Sequence, residues 1–261
     1  MRQRGRKTFV RALAVLALLA VVLTSCGGPY SAKNINVPDE KLRIADELYS
    51  RKKFTQAGIE YKDFLAVFAG DERSDYAQFM LAESYRGAKE FALASVEYRI
   101  LIADFGYSEF IDDAFFLEGL CSFEMTQRAE RDQRQAYDAL MRIERFLDIF
   151  PDSPRREEAL RIRDEIHDLL GKKTFQSAEL YFKREHYSAA GIYFQKIVDE
   201  FPETSWAGKS WYYLGYISQS KGENDVAAES YSKAVRSKHD FSEKRRASSQ
   251  LKKLSKEKSG G

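Results

Sequence analysis

The stretch from Trp211 to Val235, WYYLGYISQSKGENDVAAESYSKAV, constrains the fold more than any other. Trp211, Leu214 and Gly215 fall at helical spacing, Gly222 and Asn224 interrupt it, and Ala227, Tyr231 and Ala234 resume it. The pattern predicts two short helices joined by a tight turn. Two antiparallel helices that cross closely need small residues at the crossing, here Gly215 and Ala227. Trp211, Leu214 and Tyr231 fill the space beside them. Gly222 and Asn224 suit the turn because both tolerate left-handed dihedrals. Such a pair cannot bury its apolar face alone, so neighbours must stack on it.

The same figure recurs along the chain, at the offsets of a tetratricopeptide repeat. A first pair runs from about Asp39 to Phe68, with Ala45, then Phe54, Ala57, Tyr61 and Phe64. A second runs from Ser74 to Phe105, with Leu81, Ala82 and Tyr85, then Phe91, Ala94, Tyr98 and Leu101. The third, Ile111 to Phe150, carries Leu117 and Gly119, then Ala139, Ile143 and Phe146. Its inter-helix link, Thr126 to Gln135, is enlarged and charged. The fourth begins with one long helix from Arg155 to Glu185, or two with a bend near Gly171, followed by Tyr187, Ala190, Phe194 and Ile197. Ala57 to Ala94 and Ala190 to Ala227 are each 37 residues apart, and Ala94 to Ala139 is 45. Phe150-Pro151 and Phe201-Pro202 read as terminal turns, where proline stops a helix. Phe241 to Lys258 predicts a last helix, sparse in apolar residues and rich in Lys and Arg. A polar end helix caps a stack of this kind. The expected fold is therefore all-α, a tetratricopeptide solenoid of about five helical pairs with a capping helix.

The N-terminus is a separate matter. Arg2, Arg4, Arg6, Lys7 and Arg11 precede an apolar run from Val10 to Leu23, and Leu23-Thr24-Ser25-Cys26-Gly27 follows. A basic head, a short apolar core and small residues at its end make a secretory signal peptide. The ending resembles the bacterial lipobox, which places cleavage between Ser25 and Cys26 and a covalent lipid on Cys26. Several acyl chains at about 0.8 kcal/mol per buried methylene anchor a protein permanently. Gly27, where Asp would signal retention in the inner membrane, points to the outer membrane and its periplasmic side. The expected organisation is a signal peptide over 1–25, a tether over 26–38, the solenoid over 39–240 and a basic cap and tail over 241–261.

Losing residues 1–25 removes five basic residues and no acidic ones, leaving 37 against 40, a net charge near −3. That balance excludes the cationic excess of a nucleic-acid binder. Cys121, the one cysteine besides Cys26, reads as a buried small hydrophobe. His167, His186 and His239 show no metal-ligand spacing. No nucleophile motif or phosphate loop is present. Asp112-Asp113 and Asp199-Glu200 read as solvated helix faces. No residue constellation supports an enzyme, a metal or another cofactor.

Binding is what remains. In a stack of this kind the first helix of each pair lines the concave side. The inward candidates there are Tyr49, Tyr76, Phe79, Arg86, Phe116, Leu120 and Phe123. An aromatic groove with one cation suits an extended peptide with aromatic side chains and a free carboxylate. Aromatics at this spacing equally serve as inter-repeat core.

Two stretches carry a closer likeness. Arg131-Asp132-Gln133 with Ala136 and Phe146, ending in Phe150-Pro151-Asp152-Ser153-Pro154, is one. Glu179 to Tyr187, then Ala189-Ala190 and Phe201-Pro202-Glu203-Thr204, is the other. In their order and enlarged spacings they resemble the BamD family of outer-membrane β-barrel assembly lipoproteins, over about Asp39 to Val235. The resemblance implies a non-catalytic scaffold. Its N-terminal repeats would take the aromatic-ended C-terminal signal of unfolded outer-membrane proteins. Its C-terminal repeats would dock on the barrel subunit BamA, beside other assembly-complex lipoproteins. Where the family commonly has an Arg after the fourth terminal Pro, this chain has Trp206, Ala207, Gly208 and Lys209, so Lys209 is the candidate partner contact. The alternative is a pilotin-like or cell-wall-coordinating tetratricopeptide lipoprotein, for which the 45-residue spacing and long fourth helix are uncharacteristic.

Overall fold

The computed structural model describes residues 37–126 and 133–260. Ser25, Cys26, the signal peptide, nearly all of the tether, and Arg131 and Asp132 of the charged link lie outside the described residues. Among the described residues there are eleven helices and no strand. They pair as α1 (Pro38–Ser50) with α2 (Phe54–Val67), α3 (Ser74–Gly87) with α4 (Phe91–Asp104), and α5 (Ile111–Thr126) with α6 (Gln133–Ile149). Then come α7 (Arg156–Lys183) with α8 (Tyr187–Glu200), α9 (Ser205–Ser220) with α10 (Asn224–Arg236), and the capping α11 (Lys244–Gly260). Each helix packs on the next in order, and α7 also touches α5 and α9. The architecture is the expected all-α stack of five pairs and a cap.

The boundaries follow local chemistry. α1 begins at Pro38 rather than Asp39, because proline's fixed φ and missing N–H suit the first helical position. Inside a pair, the turn repeats one device. Lys52, Lys89, Glu185 and Gly222 each take a left-handed φ, between 58° and 81°. The next residue's N–H then reaches back to the carbonyls of Leu48, Tyr85, Tyr181 and Ser218, at 2.9 to 3.0 Å. That is the Schellman C-cap, and only at Gly222 does the sequence supply the residue that adopts it without strain. Between pairs, Phe68, Phe105, Phe150 and Phe201 follow the second helix, each donating its N–H four residues back. Ser108 and Ser153 then stitch pairs together, each donating its hydroxyl to an aspartate of the preceding pair (Asp75 and Asp112) at 2.8 Å. Arg155 binds Asp113 at 2.7 Å. The Asp112-Asp113 doublet is thus a packing joint.

α7 is a single unbroken helix of 28 residues that passes through Gly171. Gly171 lies under Trp206, whose Cδ1 would sit 3.2 Å from an added Cβ. The core is continuous in kind: Ala45, Ala57, Ala82, Ala94, Ala139, Ala190 and Ala227 have no exposed surface, and neither do Tyr61, Tyr98, Phe146 and Tyr231. Cys121 is buried as well, and burial pushes its thiol up to about 12.

Gly215 shows why the crossing needs a small residue. A Cβ there would stand 2.8 Å from two ring carbons of the fully buried Tyr231. Gly215→Val is expected to cost about 1–3 kcal/mol through forced repacking, read as a lower urea midpoint with an unchanged slope. An unchanged midpoint would mean the crossing has slack.

Candidate binding groove

The first helices α1, α3 and α5 carry the predicted groove residues, but in different states. The best-organised spot centres on Glu83 of α3, 8% exposed. Arg86, one turn on, donates from Nε at 2.7 Å and from Nη2 at 2.6 Å to its two carboxylate oxygens. Tyr98 of α4 donates its hydroxyl to the same carboxylate, and so does Tyr49 of α1, at 3.2 Å. Three helices therefore meet on one charge. Burial alone would raise the Glu83 carboxyl. The hydrogen bonds from Arg86, Tyr98 and Tyr49, with the Arg86 charge, outweigh it and hold the group below its ordinary value. Burial pushes Tyr49 up to about 12, so it stays a neutral donor. The consequence for binding is direct. Arg86, expected as the groove's free cation, is neutralised by its bidentate partner.

Tyr76 and Phe79 are half-buried on the same helix. Tyr76 and Tyr61 both donate to Oδ1 of Asp46, at 2.8 and 2.6 Å. Phe79 stacks on Phe110 with centroids 4.7 Å apart and leans on Tyr98 at 6.0 Å. Both rings join neighbouring pairs and still present an edge to the surface.

α5 corrects the reading. Phe116 has no exposed surface and packs on Phe146 at 5.5 Å. It is core, because it points between α5 and α6 rather than along the groove. Phe123 is 6% exposed and Leu120 half-buried. Phe123 nevertheless forms the wall of a cavity of about 620 Å³ between α5 and α7, with Thr126, Glu165, Leu169, Lys172, Lys173 and Gln176.

Lys172 and Lys173 were not legible as a site. Neither has an ion-pair partner among the described residues. The one carboxylate a helical turn from Lys172 is Asp168, and it accepts the Trp206 indole N–H at 2.9 Å instead. Lys173 has no acidic residue three or four positions away. An apolar wall beside two unpaired ammonium groups can hold an apolar side chain and an adjacent carboxylate.

The other predicted contact, Lys209 on α9, lies with its ammonium 4.6 Å from the Trp206 ring and 5.8 Å from Phe175. Lys209, Trp206 and Asp168 form a cation–aromatic–carboxylate ladder across α9 and α7. Among the described residues no group of three His, Cys, Asp or Glu is placed to hold a metal ion, and no helix is long and apolar enough to cross a membrane.

Comparison with known proteins adds the following. The family model YfiO, described as an outer membrane lipoprotein, matches residues 36–233. The outer membrane protein assembly factor BamD of Neisseria meningitidis (serogroup A, strain Z2491) is 29% identical over 120 residues. That match covers 46% of this chain and 44% of the relative, so it takes in less than half of the relative's length. Among solved structures, the yeast Sti1 TPR2AB-domain:pHSP90 complex has a TM-score of 0.46 at 12% identity, covering 84% of this chain and 83% of that one. A tetratricopeptide repeat protein from Parabacteroides merdae has a TM-score of 0.39 at 17% identity, covering 97% and 96%.

Proposed function

The chain belongs to the outer membrane lipoprotein family YfiO, and on that premise we propose that it is a non-catalytic scaffold of the outer-membrane β-barrel assembly complex. In this reading it is lipidated on Cys26 and faces the periplasm. Its inner face holds the C-terminal segment of an unfolded client, and Lys209 with Trp206 meets the barrel subunit, a BamA-like protein. Binding, not chemistry, is its mechanism.

One observation carries the client half of this reading. Beyond the half-buried aromatics Tyr49, Tyr76 and Phe79 on α1 and α3, the next first helices, α5 and α7, enclose a cavity whose two lysines have no ion-pair partner among the described residues. A peptide ending in an aromatic residue matches that chemistry, ring to Phe123 and Leu169, carboxylate to the lysines. Arg86 contributes little, since Glu83 already neutralises it.

The test is a fluorescent ten-residue peptide with a C-terminal Phe, titrated as free acid and as amide. Lys172→Gln with Lys173→Gln is expected to weaken binding of the acid about tenfold and leave the amide within twofold, because charge-assisted contacts at half-exposed sites count for roughly 1–2 kcal/mol. Equal loss for both peptides would remove the lysines from the site. For the complex itself, affinity purification from mild-detergent outer membranes should bring down a BamA-type barrel in stoichiometric amount. A secretin or a cell-wall enzyme in its place would sink the assembly reading.

A further inference from the structure

The outer face of α11 has no role in the function proposed above. Its inner face does: Ala247 and Leu254 are buried and Leu251 half-buried against α10, and Lys244 caps the preceding turn through the carbonyls of Ser237 and His239, at 2.6 and 3.1 Å. On a helix with 3.6 residues per turn, the positions opposite that seam are 245, 246, 249, 252, 253 and 256. All six are exposed, and they read Arg, Arg, Ser, Lys, Lys, Lys. The strip is about 16 Å long at 1.5 Å per residue.

Two features mark the strip. On other helices several cations are paired with a carboxylate a turn away: Arg43 with Glu40 and Glu47, Lys183 with Glu179, Lys196 with Glu200, Lys233 with Glu229. On α11, Arg245, Arg246, Lys252 and Lys253 have no ion-pair partner among the described residues. The charge is also segregated. Residues 244–258 hold seven basic residues and one acidic, a net +6. The chain from residue 26 is near −3, so everything before α11 is near −9.

We propose that the outer face of α11 adsorbs to an anionic phospholipid surface. An acidic protein is the rival occupant, and the composition of the strip decides between them. Protein interfaces centre on aromatic or aliphatic anchors and are depleted in Lys. This face exposes no apolar side chain at any of its six positions. A bilayer headgroup layer needs no anchor, only charge within a Debye length. The acidic remainder of the chain is repelled by the same surface, so the field turns the α11 end towards it. Membership of a family of outer membrane lipoproteins puts a bilayer within reach.

The experiment is vesicle co-sedimentation of the chain from residue 26, with Cys26→Ser so that no acyl chain binds. The vesicles are 30% phosphatidylglycerol in phosphatidylcholine, or phosphatidylcholine alone, at about 50 mM salt. The expected result is binding to the anionic vesicles only, falling steeply as salt rises. Arg245→Gln, Arg246→Gln, Lys252→Gln and Lys253→Gln together should lower the partition coefficient on the order of a hundredfold, at roughly fivefold or less per charge. The melting temperature should hold, since none of the four touches the seam. Undiminished binding by the quadruple variant overturns the proposal. So does indifference of the native chain to anionic vesicles, whether or not it binds polyglutamate. A salt-sensitive dimer without lipid, lost in the variant, would assign the face to a second copy and overturn it too.

Discussion

Glu83→Ala is expected to lower the melting temperature by roughly 6–12 °C, from a loss of about 3 kcal/mol in a chain of this size. The loss is large because the carboxylate's partners are left behind. Tyr98 is fully buried and donates to Glu83, so its hydroxyl becomes an orphan. The Arg86 side chain, 36% exposed, keeps its charge with half its solvation gone. Tyr49 loses the link that ties α1 to α3. The figure sits at the low end of the range for breaking a buried pair because Arg86 can still turn towards water. Glu83→Gln should recover part of the loss, as the amide oxygen still accepts from a tyrosine. Calorimetry of the three proteins at neutral pH decides it: a shift below 2 °C for Glu83→Ala would mean the network is an ornament on a stack held by packing alone.

The same group gives the acid limb of stability a definite sign. Its folded pKa lies below the ordinary 4.5, so the folded state binds its proton less readily than the unfolded chain. The contribution is complete above about pH 5 and drains away as pH falls through 4.5 towards the folded value. Glu83→Ala should therefore flatten the stability profile in that window. Glu118 runs the other way. Burial raises it despite Arg142, Arg99 and Arg145, so acid relieves a cost there rather than adding one. Removing Glu83 should leave that opposite slope exposed.

How far the sequence carries depends on what kind of feature is asked for. Small residues are legible, because a crossing tolerates nothing else: Ala45, Ala82, Gly119 and Gly215 marked the first helices, and Ala57, Ala94, Ala139, Ala190 and Ala227 the second. Gly119 would meet Ile143 at 2.7 Å if it carried a Cβ. Terminal turns are legible through Phe150-Pro151 and Phe201-Pro202. The turns inside the pairs are less so, since Lys52, Lys89 and Glu185 hold a glycine's conformation without being glycine. The groove was legible as a set of residues on the right helices, not as a surface. Glu83 stands three residues before Arg86, a spacing that announces a pair, yet Tyr49 and Tyr98 reach it from helices 34 and 15 residues away. Lys172 stands out only once Asp168 is seen to be taken by Trp206. Absence of a partner has no sequence signal of its own.

Phe116 and Phe79 turn that limit into a measurement. Both were candidates for the groove on identical grounds, aromatic side chains on first helices. A fraction of a helical turn separates their fates: Phe116 is sealed against Phe146, while Phe79 lies half-exposed on Phe110. Phe116→Ala should cost about 3–5 kcal/mol, the transfer free energy of a buried ring plus the cavity it leaves, and so lower the melting temperature by roughly 6–20 °C. Phe79→Ala should cost less than half as much, since its ring loses less burial. Peptide affinity should move in the opposite order. At a temperature where both variants are folded, Phe116→Ala should bind the Phe-ended peptide within twofold of the parent, and Phe79→Ala several-fold more weakly. Circular dichroism melts and the same fluorescence titration read both axes. If Phe116→Ala loses affinity while keeping its stability, the ring is reached by the client and the α5–α6 core opens on binding. If Phe79→Ala loses stability alone, the groove's aromatic edge is packing, and recognition falls to the α5–α7 cavity.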